Sequence, residues 1–426
     1  MAEMAAGEPF RPLYRNYVLF VLFLGYVVNA LDRAILNILL PAIKAEFSLS
    51  YTELGLLGGI AFALFYATCG IPIATLADRT SRKWILASSI AFWSIMTALC
   101  GMARNFPMLL AARVGTAIGE AGGSPPSHSL ISDYFSLQKR GTALSIYALG
   151  VPLGGMLGLY LGGHGNDWWG WRTTFVVAGL PGLLVALLVA FTVREPKRPA
   201  RTASQMENPF RALKFVVARP AFLHMSLAAA MHAFVWYGAG NFNSIFLVQS
   251  HGMSTSDIGT MFASFALIGA FGTFFGGFLS DWLSRRYNDE RFYMLVPGAS
   301  VVIGVPLQFA AYLHPDMSVV MVCFAVSAFF ASVFFGPSFA MAQALVSPNH
   351  RALSASLLLF IQTMIGLGLG PLAAGAIADI LEPSYGATAL RYALVLLALF
   401  NIWSGVHYYL ASRTVRADIE SAKTEA

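Results

Sequence analysis

The chain has 426 residues, 57% of them apolar before its 39 glycines are counted, and only 11% are Asp, Glu, Lys or Arg. Soluble domains carry about a quarter charged residues, so this composition excludes a soluble enzyme or a nucleic-acid-binding domain despite the net charge of +6. It describes a polytopic membrane protein.

Charges cluster in short breaks between apolar runs long enough to cross about 30 Å of hydrocarbon. Twelve such runs start near Tyr17, Thr52, Trp84, Met108, Thr142, Arg172, Ala221, Ile258, Phe292, Ser318, Leu353 and Arg391. All are expected to be helices, because backbone groups in lipid must be satisfied within the segment. The fold class is therefore all-α with twelve transmembrane helices. The first run is interrupted by Asp32-Arg33 and lacks a small-residue cleavage site, so it reads as a retained span rather than a signal peptide.

Placing both termini inside puts 21 of the 27 basic residues on the cytoplasmic side, among them Arg11, Arg15, Arg79, Arg82, Lys83, Lys139 and Arg140. The opposite side keeps Lys44, Arg104, Arg172 and Arg391. The positive-inside rule fixes the orientation from that imbalance. The two basic residues left over, Arg33 and Arg113, sit inside spans.

The first span runs from about Tyr17 to Pro41. Asp32-Arg33 lies 17 residues beyond Arg15, roughly 25 Å of rise, which places the pair in the outer half of the membrane. The second span runs inward to Leu76 and ends in Asp78-Arg79-Thr80-Ser81-Arg82-Lys83. A counterpart, Gly277-Phe278-Leu279-Ser280-Asp281, ends the eighth span, and Asp78 and Asp281 are 203 residues apart. Lys139-Arg140-Gly141 opens the fifth span and His350-Arg351-Ala352 opens the eleventh, with Arg140 and Arg351 at an offset of 211. Two six-helix halves thus repeat in the same direction, residues 1–193 and 220–426. Parallel repeats with a site between them describe a rocking transporter. The join, 194–219, carries seven basic and two acidic residues and reads as a cytoplasmic linker that touches anionic lipid headgroups.

The fourth span carries the most informative stretch, Leu109–Tyr134, with Arg113, Glu120, Gly119, Gly122, Gly123 and Pro125-Pro126. A charge at membrane depth costs several kcal/mol unless it faces a partner or a wet cavity, so such residues are functional candidates. Arg113 and Glu120 are two helical turns apart and share a face. Gly150, Gly154, Gly158 and Gly162 recur every four residues along the fifth span, a period that lets helix backbones approach closely. Gly366, Gly368, Gly370-Pro371 and Gly375 mark an equivalent bend in the eleventh. The seventh span gathers His224, His232, Phe234, Trp236, Tyr237, Asn241 and Asn243, and Trp236, Tyr237 and Asn241 are candidates to line an amphipathic cavity. His128 is a lone membrane histidine whose expected role is a bond to a neighbour. Cys69, Cys100 and Cys323 have neither metal-site nor disulfide spacing. No phosphate loop, metal spacing, catalytic triad or cofactor motif is present, so the chain reads as no enzyme.

Twelve helices in a 6+6 arrangement, the DRxxRK break after the second span, its weaker copy after the eighth and the glycines of the fifth resemble the major facilitator superfamily. The break departs from the usual signature at Ala74 and Ser81, where glycine is common. Asp32-Arg33 together with Arg113-x-x-Gly-x-x-Gly-Glu120-Ala121 is similar to the Spinster branch, whose members include sphingosine-1-phosphate and lysolipid exporters. That resemblance implies a bacterial inner-membrane transporter, monomeric, working by alternating access on an amphipathic lysolipid or sphingolipid-like substrate with protons as the coupling partner. It implies Asp32 and Glu120 as the proton switch, Arg33 and Arg113 as anion-binding residues, and Asp78, Arg79, Arg82 and Asp281 as the inward gate. The competing readings are a proton-coupled exporter of hydrophobic drugs, an importer of small organic anions and, from another class, a non-transporting membrane sensor.

Overall fold

A computed structural model describes residues 10–196, 218–347 and 350–424. Among them the chain is helical throughout, with turns but no strand. Eight continuous helical stretches are long and apolar enough to cross a membrane. Two of these, Gln138–Thr192 with 55 residues and Leu353–Ala422 with 70, have the length of two crossings each at 1.5 Å per residue. Each is broken where only glycine is comfortable, at Gly170 (φ 77°) and Gly386 (φ 51°). The fourth and seventh crossings complete the twelve.

The first crossing is α1 (Pro12–Phe47), opened by Pro12 and stopped by Ser48 in the left-handed region. The second is α2 (Tyr51–Gly58) and α3 (Ile60–Arg79), the former opened by a reciprocal capping box between Ser50 and Glu53. The third is α4 (Arg82–Met102). The fourth divides at Gly122-Gly123 into α5 (Phe106–Ala121) and α6 (Ser124–Tyr134), with Pro125 and Pro126 tolerated in the first turn of α6. Then come α7 (Leu137–Ala148) and α8 (Gly150–Thr192), which hold the fifth and sixth. The second half has α9 (Pro220–His251), α10 (Thr255–Tyr287), α11 (Phe292–Leu313), α12 (Met317–Ser332) and α13 (Phe335–Ala344). It ends with α14 (Arg351–Ile361), a π-helical turn over Gln362–Leu369, α15 (Gly370–Tyr385), α16 (Ala389–Ala398) and α17 (Phe400–Thr424). The π turn falls where the glycines of the eleventh span foretell a bend.

The chain folds as two compact units. Unit 1 takes Met1–Leu49, Ala61–Pro199 and Gly252–Ala263; unit 2 takes Ser50–Ile60, Ala200–His251 and Ser264–Ala426. Each unit therefore includes one short segment from the other half of the sequence, an exchange that the 1–193 and 220–426 division does not contain. The linker segment 197–217 lies outside the described residues.

Unit 1 is built around Val21, Leu22, Ile90, Trp93, Leu130, Tyr134 and Val189. The glycine stripe of α8 packs on α1: a Cβ at Gly154 would stand 2.1 Å from the Val27 carbonyl oxygen, and one at Gly158 2.5 Å from that of Leu31. Close approach of these two backbones sets the depth and rotation of Asp32 and Arg33. At the start of α4, Arg82 is buried and donates to Glu195 Oε1 (2.8 Å), Asp133 Oδ2 (2.5 Å) and Ser129 Oγ (3.1 Å). Glu195 Oε2 also accepts from Lys83 N and Ser81 Oγ, so one carboxylate caps α4 and ties it to the end of the sixth crossing.

Unit 2 is centred on Phe222, Met225, Met294, Met341, Leu345 and Tyr408. A buried polar chain crosses it: His232 lies 2.8 Å from both Asn401 Oδ1 and the Ala331 carbonyl, and Asn401 Nδ2 donates to Gln308. Glycines again set the helix spacing, with a Cβ at Gly370 falling 2.4 Å from the Phe234 carbonyl oxygen.

Gly158→Ala is expected to destabilise unit 1 by about 1–3 kcal/mol, the usual effect of overpacking. Gly155→Ala, whose Cβ meets nothing within 4 Å, should be neutral or slightly stabilising. Thermal unfolding of the two purified variants in one detergent checks this, and equal melting temperatures would show that the α1–α8 approach is not tight.

Candidate functional site

The candidate site lies inside unit 1, where α1, α3, α4 and α5 bring four charges and two aromatic rings together. Asp32 and Arg33 are adjacent on α1, so their side chains diverge by about 100° around the helix and reach different partners. Arg33 Nε donates to Glu120 Oε2 at 2.5 Å, and Arg113 Nη1 stands 3.8 Å from Asp32 Oδ1. The arrangement is thus two crossed α1–α5 pairs. α5 can come this close because Gly119, next to Glu120, sits where a Cβ would be 2.8 Å from the Trp93 backbone nitrogen of α4.

Burial differs sharply within the cluster. Asp32 and Arg113 are 3% exposed and the Glu120 side chain is fully covered, whereas Arg33 retains 35% of its surface. Arg33 is the member open to a ligand. Its guanidinium lies over the rings of Tyr66 (4.7 Å) and Phe62 (5.1 Å), and Arg113 lies 5.2 Å from Phe62. Cation–π contact of this kind holds a guanidinium in place while leaving its hydrogen-bonding edges for other partners.

Thr97 supplies the fifth polar group. Its hydroxyl is 2.5 Å from Asp32 Oδ2 and 2.9 Å from the Trp93 carbonyl oxygen. One hydroxyl proton serves one acceptor at a time. With Asp32 ionised, Thr97 donates to the carboxylate. With Asp32 protonated, the acid donates to Thr97, which turns its proton to Trp93. The site therefore satisfies either protonation state of Asp32 without moving a helix.

The four charges sum to zero when both acids are ionised. Asp32 Oδ1, Glu120 Oε1, and Arg113 Nε and Nη1 are buried without a hydrogen-bond partner, which is costly in a low-dielectric setting and leaves donor and acceptor capacity for a proton or a ligand. The arrangement can store a proton on a carboxylate and hold an anion against a guanidinium. Among the described residues no group of three His, Cys, Asp or Glu side chains has the arrangement of a metal site.

Of the other candidates, Trp236 and Tyr237 on α9 are 46% and 40% exposed, while Asn241 is buried and donates to the Leu54 carbonyl at 3.4 Å within unit 2. Arg79 ends α3 and is exposed. The side chain of Asp78 lies outside the described residues. Asp281 is exposed and accepts from Tyr293 Oη at 2.5 Å. Arg82 is the anchor of the Arg82–Glu195–Asp133 knot. Phe62, Tyr66, Thr97 and Glu195 were not singled out by the sequence reading. Phe62 and Tyr66 did carry a signal, because aromatics four apart share a helix face; Thr97 and Glu195 carried none.

The family model described as the Major Facilitator Superfamily matches residues 22–298 and 225–425. An "MFS-type efflux pump" of Mycolicibacterium smegmatis is 32% identical over 94% of this chain and 93% of its own. A sphingosine-1-phosphate transporter of Danio rerio is 26% identical, covering 92% and 82%, and a hexuronate transporter of Bacillus subtilis is 25% identical, covering 89% and 92%. Among solved structures, a bacterial homologue of the human lysosomal transporter Spinster, crystallised inward-facing and unoccupied, superposes with a TM-score of 0.89 at 35% identity, covering 96% of this chain and 99% of that one.

Replacing Arg113 by Leu leaves the Asp32 carboxylate buried without its α5 partner and should destabilise the protein by about 3–5 kcal/mol. Adding Asp32→Asn to that variant should restore most of the loss, because the uncompensated charge is gone. A double-mutant cycle on thermal unfolding in detergent reads both numbers, and additive losses would mean the two groups do not interact.

Proposed function

The chain belongs to the major facilitator superfamily and, within it, to the Spinster-type transporters, and from that premise we propose that it is a proton-coupled secondary transporter of amphipathic lysolipid or sphingolipid-like anions. It works by alternating access, in the bacterial inner membrane, as a monomer with both termini in the cytoplasm. That it is a multi-pass membrane transporter and not an enzyme follows from its family.

The observation that carries the substrate and coupling reading is the asymmetric burial of the Arg33–Glu120 pair, with Arg33 partly exposed over aromatic rings and Glu120 fully covered. Arginine offers a phosphate a forked pair of donors, and Tyr66 and Phe62 offer apolar surface beside it. A lipid with a phosphate or sulfate head and an apolar body matches both. The sphingosine-1-phosphate transport named for the Danio relative supports this class of substrate.

Charge balance sets the coupling. Protonating Glu120 removes the carboxylate that occupies Arg33 and leaves the cluster with one positive charge. An anionic headgroup on Arg33 restores neutrality. Proton and anion therefore favour each other's binding, by reciprocal linkage, and cross in the same direction. Asp32 is the second proton site, buffered by Thr97, and Arg113 holds it in place. Trp236 and Tyr237, exposed on α9, serve the lipid body, and Asp78, Arg79 and Asp281 form the inward gate anchored by Arg82.

Purified protein in liposomes, given a lysophosphatidic acid from outside, should carry protons inward together with the lipid. Glu120→Gln is expected to abolish the proton movement while retaining substrate binding. Arg33→Ala should lower affinity for the phosphorylated lipid at least tenfold and leave that for a neutral monoacylglycerol unchanged. A hexuronate that drives the same flux, with lysolipid inert, would replace the lipid by a sugar acid.

A further inference from the structure

Two carboxylates hold helix starts that belong to the other half of the sequence. In unit 2, Asp379 near the end of α15 accepts from the first two backbone N–H groups of α2: Oδ1 from Tyr51 N at 2.9 Å and Oδ2 from Thr52 N at 2.8 Å. In unit 1, Asp167 in α8 accepts from Ser256 N at 3.0 Å and from Thr255 Oγ1 at 2.6 Å, at the start of α10. The first N–H groups of a helix have no partner within it, so a carboxylate placed there is both a hydrogen-bond acceptor and a counter-charge to the helix dipole.

The two contacts are equivalent in detail. Asp167 and Asp379 are 212 residues apart, and Tyr51 and Thr255 are 204 apart. Ser50 Oγ accepts from Glu53 N, and Ser254 Oγ accepts from Asp257 N, 204 residues on. A Cβ at Gly375 would meet the Tyr51 carbonyl oxygen at 2.1 Å, and one at Gly163 would meet that of Thr255 at 2.3 Å. A Cβ at Gly55 would stand 2.3 Å from the Pro371 carbonyl oxygen, and one at Gly259 2.3 Å from that of Leu159. Each start thus sits on a glycine-lined seat, is held by one aspartate and carries its own serine cap. The offsets lie within one residue of those between the halves, 203 for Asp78 and Asp281 and 211 for Arg140 and Arg351.

A serine cap alone gives these helices their N-terminal stability, so the aspartates are not needed to form them. Their added effect is to tie the turn to another helix. Both turns lie at the ends of the second and eighth crossings that the positive-inside count places outside. Past Ile60 the second crossing returns to unit 1, and past Ala263 the eighth belongs to unit 2, so each clasp joins a unit to a helix that continues in the other.

We propose that Asp379 and Asp167 are the paired clasps of an outer gate, both made here and both released when the transporter opens outward. Asp167 is ionised at neutral pH. Burial pushes the Asp167 carboxyl up, but the hydrogen bonds from Ser256 and Thr255 outweigh it and hold the group below the usual carboxylate range. A depressed carboxyl contributes where it is ionised and its contribution is lost only as pH falls through that lowered value. Opening therefore needs the backbone bonds to exchange for water, a step separate from the protonation of Glu120. This inference rests on alternating access and not on the identity of the substrate or on proton coupling.

The test is the distance distribution between spin labels at Ala45→Cys and Ser384→Cys, in a background with Cys69, Cys100 and Cys323 replaced, in lipid nanodiscs without substrate. Asp167→Ala and Asp379→Ala should each raise the long-distance population about fivefold, and the double variant about 25-fold, as for the loss of independent caps. The Asn variants, which keep one acceptor, should give intermediate shifts with an unchanged melting temperature. A double variant that remains folded and shows the wild-type distribution overturns the clasp assignment. Because no substrate or pH gradient enters the measurement, a failed lipid or proton assay leaves its outcome intact.

Discussion

The structure of unit 1 depends on one constraint: two arginines and two carboxylates placed where lipid surrounds the protein. Isolated, any one of them is too costly to keep ionised in a low-dielectric interior. Crossed between α1 and α5, they neutralise one another, but incompletely, since Arg113 stands 3.8 Å from Asp32 and four buried polar atoms have no bond. A purely structural ion pair is stable only with good geometry and every lone pair satisfied. The shortfall leaves donor and acceptor capacity unused at the centre of unit 1.

That constraint reaches far along the chain. The crossed pairs require α1, α4 and α5 to approach within backbone distance, and this explains Gly119 against Trp93 and the α8 stripe against α1. Small residues are the only way to achieve such spacing in lipid, where apolar side chains gain nothing by leaving the solvent for one another. The same logic accounts for Thr97. A threonine between Asp32 and the Trp93 carbonyl gives Oδ2 of the acid a partner in both protonation states.

Much of this was legible before any coordinates. Twelve spans follow from hydropathy because lipid leaves the backbone no alternative to helix. The charges at positions 32, 33, 113 and 120 stand out because they break an apolar background, and the glycine stripe follows from its period of four. What was not legible has a common cause, which is that it depends on pairings between segments far apart in sequence. Nothing around Glu195 marks it as the cap of α4, and a linker composition argues the reverse. Thr97 is an ordinary threonine until α1 brings Asp32 to it. Nothing in the sequence marks Asp167 and Asp379, and only the contacts with Thr255, Ser256, Tyr51 and Thr52 separate them from solvated charges. The repeat was visible, however, and its offsets were enough to ask which residues of one half should do the work of which in the other.

The repeat also explains why the two halves differ in chemistry while sharing their mechanics. The helix seats, serine caps and aspartate contacts are duplicated at offsets of 204 and 212, so the same device stands in both halves. Among the described residues the cluster of Asp32, Arg33, Arg113 and Glu120 is not duplicated. Unit 2 carries a buried polar chain of His232, Asn401 and Gln308, all groups that can be neutral. The buried cluster of unit 1 is built from fixed charges, and this chain of unit 2 is not. Such a chain needs no counter-charge to stay buried, because each of its members can be satisfied by a hydrogen bond while neutral.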